Sequence, residues 1–77
     1  MKLEFIRKIK EYSIYYDGDN SEFIIYLQLP EEPQQIEECK YSDYLVCKVY
    51  DDENVELEKL VHSFENDFIE TLRNIYK

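Results

Sequence analysis

At 77 residues the chain is read as one domain, able to bury only about 60% of its unfolded surface. Its 18 Asp and Glu against 9 Lys and Arg give a net charge of −9. That field disfavours nucleic acid and anionic membranes as partners and favours basic grooves on other proteins. With 44% hydrophobic residues, eight Tyr and four Phe, the composition also excludes a disordered acidic tail.

The charge is uneven along the chain. Between Glu11 and Glu70 there are 17 acids and only Lys40, Lys48 and Lys59 as bases. Lys2, Arg7, Lys8 and Lys10 precede that stretch, and Arg73 and Lys77 follow it.

Leu3, Phe5, Ile6, Ile9 and Tyr12 recur at spacings of three and four, which predicts a short amphipathic helix over about 2–11. The lack of a cap leaves a strand as the alternative. Ser13 to Tyr16 is rich in β-formers and runs into Asp17-Gly18-Asp19-Asn20-Ser21, a run of turn residues with the sole glycine. Phe23 to Leu29 then alternates, so the two stretches read as a hairpin with a five- or six-residue loop. Pro30 and Pro33 punctuate an acidic connection that reaches Glu38 and cannot continue a strand. Tyr44 to Tyr50 reads as a third strand. Leu57, Leu60, Val61, Phe64, Phe68, Leu72, Ile75 and Tyr76 follow the helical period, with Asn54 or Asp52 as the expected N-cap.

The expected architecture is therefore α+β, in the order αβββα: a three-stranded antiparallel sheet with a short N-terminal and a long C-terminal helix. Phe23, Ile25, Leu27, Leu29, Leu45, Cys47 and Val49 are expected to face Leu60, Phe64, Phe68 and Leu72. The other sheet face would show Ile24, Tyr26, Tyr44, Val46 and Tyr50, an aromatic surface for the first helix or a partner to cover.

Cys39 and Cys47 are too few for a disulfide scaffold and are expected as free, partly buried thiols of a cytoplasmic, reduced protein. The first dozen residues lack the continuous apolar run of a signal peptide. No segment approaches the roughly 20 apolar residues that span a bilayer.

Catalysis finds little support. His62 is the sole histidine and is expected on the surface of the last helix. Cys39, Cys47 and one His do not make a zinc set, and one glycine makes no phosphate loop. Asp17, Asp19 and Glu22 open like a calcium loop, but the sixth position is Glu22 and the twelfth is Gln28, where such a loop needs Gly and Glu. No catalytic residue, metal or cofactor is expected.

What remains is the acidic surface. Carboxylates two residues apart on a strand, or on successive helical turns, lie about 5–7 Å apart, a pitch comparable to the phosphates of a DNA strand at about 3.4 Å. A folded protein with such rows can fill the basic groove of a nucleic-acid enzyme. The candidates are three clusters: Asp17, Asp19 and Glu22; Glu31, Glu32, Glu37 and Glu38; and Asp51, Asp52, Glu53 and Glu56. Tyr15, Tyr26, Tyr44 and Tyr50 would add apolar contact. A solvated face that serves only solubility is the competing reading.

Two likenesses bear on the target. The stretches Phe5-Ile6-Arg7-Lys8-Ile9-Lys10, Asn20-Ser21 before Ile24-Ile25, and Glu53-Asn54 leading into Leu60-Val61-His62-Ser63-Phe64, with the element order, resemble a family of small acidic phage-encoded type II anti-CRISPR proteins. Leu29-Pro30-Glu31-Glu32, Ser42-Asp43, Leu45-Val46, Tyr50-Asp51 and Glu53-Asn54-Val55 resemble part of the phage uracil-DNA glycosylase inhibitor, which ends in strands and not a helix. Both families imitate DNA. The resemblance therefore implies a phage anti-defence inhibitor, a monomer or homodimer, that blocks a CRISPR nuclease with its guide RNA or another nucleic-acid enzyme. An immunity protein or small interaction subunit for a basic partner is the alternative.

Overall fold

The computed structural model describes residues 2–75 in backbone and 2–66 in side chain. Its elements are β1 (Lys2–Ile9), β2 (Tyr12–Asp17), β3 (Glu22–Leu27), β4 (Gln35–Glu37), β5 (Leu45–Tyr50) and α1 (Leu57–Ile75), with a short 3-10 turn at Ser42–Tyr44. The strands form one antiparallel sheet in the order β4-β1-β2-β3-β5. The class is α+β, but the expected αβββα arrangement is corrected: the sheet has five strands and the chain opens on a strand.

A bulge explains the error. Lys2-Leu3-Glu4-Phe5 alternates strictly, and the pairing of β1 with β2 then shifts register between Phe5 and Arg7. The extra residue, Ile6, is 46% exposed. One residue inserted into a period of two turns spacings of two into three and four, which mimics a helical stripe. Leu3 and Phe5 consequently serve one face of the sheet, and Ile9, past the bulge, serves the other. β1 is held on both sides, by β2 and by the three-residue β4. That strand comes from the Pro-punctuated connection, where no strand was expected.

The expected β2–β3 hairpin forms, but Asp17 pairs with Glu22 across its tip, which leaves a loop of four residues in place of the five or six expected. The glycine is not what the turn needs. Gly18 has ordinary φ, and Ser21 carries the positive value of 52°. α1 packs Leu57, Val61, Leu60 and Phe64 onto Tyr12, Ile14, Phe23, Ile25, Leu27 and Cys47. Of the residues expected to face this helix, Leu29 lies in the opposite core and Leu45 is exposed. Gln28, at φ 55°, turns the chain between Leu27 and Leu29. The expected contacts of Phe68, Leu72, Ile75 and Tyr76, and the dipole role of Arg73 and Lys77, lie outside the described residues. The helix starts later than either expected cap. Glu56 precedes its first residue and its backbone carbonyl accepts from the N–H of Leu60, while Asp52 Oδ1 accepts from the N–H of Asn54 at 2.7 Å and closes a tight turn upstream.

Part of the second face is covered by the chain's own connection and not by a helix, while Tyr44, Val46 and Tyr50, expected on the same face, are exposed. Leu3, Tyr15, Ile24 and Tyr26 are wholly buried there with Leu29, Ile36 and Tyr41, and Phe5 packs beside them. Two phenols tie this lid to the sheet and a third braces it from within. Tyr15 donates to the carbonyl of Pro33 at 2.8 Å, Tyr26 to the carbonyl of Glu38 at 3.3 Å, and Tyr41 to Glu31 Oε1 at 2.7 Å. Ion pairs Lys8–Glu32 and Lys48–Glu38 add to it at the rim. No helix among the described residues is long and apolar enough to cross a membrane.

Candidate partner-binding surface

The strand register decides which acids meet. β2 ends, β3 begins and β5 ends at the same edge of the sheet, because Asp17 pairs with Glu22 and Glu22 pairs with Tyr50. The N–H of Asp51 then donates to the carbonyl of Ser21 at 2.8 Å. Two acidic runs some 30 positions apart in sequence thus form one continuous end: Asp17, Asp19 and Glu22 from the hairpin, Asp51, Asp52 and Glu53 from the approach to α1.

These six are not equivalent. Asp17 is 2% exposed and spends both oxygens on its own turn. Its Oδ1 accepts from the N–H groups of Asp19 and Asn20, and its Oδ2 accepts from the Asn20 side chain at 2.8 Å. The Asn20 side-chain bond, followed by the backbone bonds and the charge of Lys48, holds its carboxyl below the usual range against the opposing effect of burial. Asp17 therefore shapes the tip and adds its charge, without touching a partner. Asp51 accepts from the Tyr16 hydroxyl at 3.1 Å, and Asp52 is half committed to Asn54. Asp19 and Glu53 are exposed, and Glu22 is half-buried.

The middle cluster is largely neutralised inside the fold. Glu31 accepts from Tyr41, Glu32 pairs with Lys8 and Glu38 pairs with Lys48. Glu37 is exposed on β4, at the far side of the sheet. Glu56, placed with the third cluster in sequence, pairs with Lys59 at 3.0 Å. Glu58 and Glu65 pair with Arg7 and Lys10, which joins α1 to β1.

So five of the seven basic side chains from Lys2 to Lys59 are held in ion pairs, none of them with a carboxylate of this end, although Arg7 lines one depression with Asp51 and Asp52 and the charge of Lys48 reaches Asp17. Of the other two, Lys40 lies 5.4 Å from the centre of the Tyr41 ring, and Lys2 opens β1. Six carboxylates gather where the hairpin tip meets the end of β5, while Glu4, Glu11, Glu37 and Asp43 stand exposed elsewhere on the surface. Sequence spacing could not have shown this, because it rests on which strands are neighbours.

The tyrosines divide. Tyr15 and Tyr26 are fully buried, so neither reaches a partner; burial pushes the Tyr15 phenol up to about 12 and the Tyr26 phenol upward as well. Tyr44 and Tyr50 are exposed, Tyr50 by 72%, and Leu45 and Val46 are exposed to about the same smaller extent as Tyr44. All four belong to β5 or its entry. His62 is exposed on α1, Cys39 is an exposed free thiol and Cys47 a half-buried one. Among the described residues no three His, Cys, Asp or Glu side chains are grouped to hold a metal ion.

No protein-family model, curated protein or solved structure matches the chain.

Proposed function

We propose that this protein acts by binding: it is an acidic inhibitor whose Asp19–Glu22 and Asp51–Glu53 end occupies the cationic nucleic-acid groove of an enzyme in the host cytoplasm. The observation that supports the reading is the Asp51–Ser21 bond, which makes one negative end out of two separate acidic runs. None of the five ion pairs among the described residues uses a carboxylate of that end, which adds to it.

A guide-loaded type II CRISPR nuclease heads the targets to be tried. The element order that suggested it includes an N-terminal helix, and β1 stands in its place. The choice of target now rests on the charge reading alone, so a uracil-DNA glycosylase and a basic toxin nuclease belong in the same panel. The toxin arm tests the immunity-protein reading.

The experiment measures DNA binding by each enzyme with increasing amounts of the protein, at low and high salt. Displacement of DNA that weakens with salt, and that is lost in an Asp19→Lys, Glu53→Lys double variant, is the expected result. Displacement by that variant equal to the parent's would end the acidic-end reading.

A further inference from the structure

The outer edge of β5 has no neighbour in the sheet. Its hydrogen-bonding groups can be assigned from the Asp51–Ser21 bond. That bond makes Ser21 and Asp51 a hydrogen-bonded pair, and antiparallel pairs alternate. Glu22↔Tyr50 and Ile24↔Lys48 are therefore the non-bonded pairs of the β3–β5 ladder, with Phe23↔Val49 bonded between them. The N–H and C=O groups of Tyr50 and Lys48 consequently point outward, away from β3.

Most exposed edges are defended by charge, proline or shortness. This one is six residues long, without proline, and its flanks are apolar. Leu45, Val46 and Tyr50 are exposed, and the one lysine, Lys48, is folded onto Glu38. On the helix side a depression of about 480 Å³ adjoins the edge, lined by Val49, Val55 and Leu60 with Glu56 and Lys59 at its margin. A second copy of the chain fits the edge poorly. Outward groups must meet outward groups, so two-fold pairing centres on Lys48 or on Val49. The first sets Lys48 against itself, and the second sets Cys47 against Asp51. Each copy also brings a charge of −9.

We infer that the β5 edge is a strand-addition site for an extended, basic segment of a partner protein. Its main chain pairs with Lys48 and Tyr50, and its alternate side chains enter the Val49–Val55–Leu60 depression. Its basic residues meet Asp51, Asp52 and Glu53 at the strand's end. Backbone bonds supply affinity in this mode and the pocketed side chains supply selectivity. The site shares Asp51, Asp52 and Glu53 with the acidic end, but its backbone pairing lies on β5, so a test of that pairing can fail while the acidic-end reading stands.

The probe is a blocked octapeptide of alternating Val and Lys, with its Val/Glu counterpart as control, followed by amide NMR of the intact protein. Amide exchange at Lys48 and Tyr50 is expected to slow about tenfold or more in the Val/Lys complex, with no effect from Val/Glu. N-methylation of one alternate set of peptide amides is expected to abolish binding and of the other set to spare it, because only one set faces β5. Tyr50→Pro removes an outward N–H that β3 does not use and is expected to abolish binding, while Tyr50→Ala keeps it. If Tyr50→Pro loses the fold, the methylation pattern decides, since it leaves the protein unaltered. Binding indifferent to which set is methylated, perturbations away from β5, or no binding by Val/Lys would each overturn the inference, as would a dimer by light scattering that protects β5. Loss of DNA displacement on charge reversal, with no periodic methylation effect, would leave the acidic end standing and remove this site.

Discussion

The N–H of Asp51 meets the carbonyl of Ser21 at 2.8 Å, one step beyond the Glu22↔Tyr50 rung between β3 and β5. Through that contact the hairpin tip and the entry to α1 present their carboxylates together. The electrostatic consequence is kinetic before it is energetic. Reversing Asp19 and Glu53 to Lys is expected to lower the association rate with a basic target about tenfold or more at low salt, with a smaller change in dissociation. Stopped-flow mixing at two ionic strengths measures both. Equal association by parent and variant would remove this end from the interface.

Asp17 belongs to a different kind of prediction, because its oxygens hold the turn. Its folded carboxyl titrates below its ordinary value of 3.8. The stability it contributes is therefore complete above that pH and is lost as pH falls through the folded value. Asp17→Asn is expected to lower the melting temperature at neutral pH and to flatten its fall below about pH 4. A parent and variant with parallel acid profiles would show that Asp17 plays no such part.

Tyr15 gives the alkaline counterpart. Burial foremost, then the charge of Glu32, raises its phenol to about 12, and Tyr26 and Tyr41 are raised too. The neutral phenol is the form the fold keeps. Stability is complete below the unfolded value of 10.0 and is lost as pH climbs toward 12. Phenolate absorbance from these rings is expected to appear together with unfolding, as followed by circular dichroism. Tyr15→Phe removes the bond to Pro33 and is expected to cost about 1 kcal/mol, with faster amide exchange in the lid. Ionisation of these rings in a fully folded protein would contradict the assignment.

Ser13 offers a stabilising change. Its hydroxyl is fully buried and has no hydrogen-bond partner. Ser13→Ala removes an unpaired polar atom from the lid-side core and is expected to raise stability by about 1 kcal/mol in denaturant melts. A loss of similar size would mean the hydroxyl is satisfied in solution.

The β2–β3 turn supplies a paired test. Ser21 sits at φ 52°, where a side chain is strained, while Gly18 has ordinary φ and nothing within 4 Å of where a Cβ would stand. Ser21→Gly is expected to be neutral to stabilising, and Gly18→Ala to stabilise by about 0.4–1 kcal/mol through the unfolded chain. Thermal melts of both variants check the assignment, and a clear loss in Gly18→Ala would contradict it.

Several features were legible from residue order. The alternation of Phe23, Ile25 and Leu27 against Cys47, and the period of Leu57, Leu60, Val61 and Phe64, named the elements of the helix-side core. They could be read because each pattern repeats locally, and local repetition needs no knowledge of neighbours. The turn at Asp17–Ser21 was readable for the same reason. The caps of α1 and the conformation of Gly18 were not, since several acceptors and turn residues lie within a few positions of each end.

The first strand, the lid and the site depended on contacts distant in sequence. Ile6 breaks the phase of β1, and the pairing with β2 and β4 on either side is what keeps the segment extended. Tyr15 and Tyr26 look like interface residues in a list and become core residues once the Pro30–Tyr41 connection folds over them. Acidity is a property of composition, and its total of −9 needs no fold. Where that charge gathers is set by which strands are adjacent, because opposite charges far apart in the chain cancel only where folding brings them within a few ångströms.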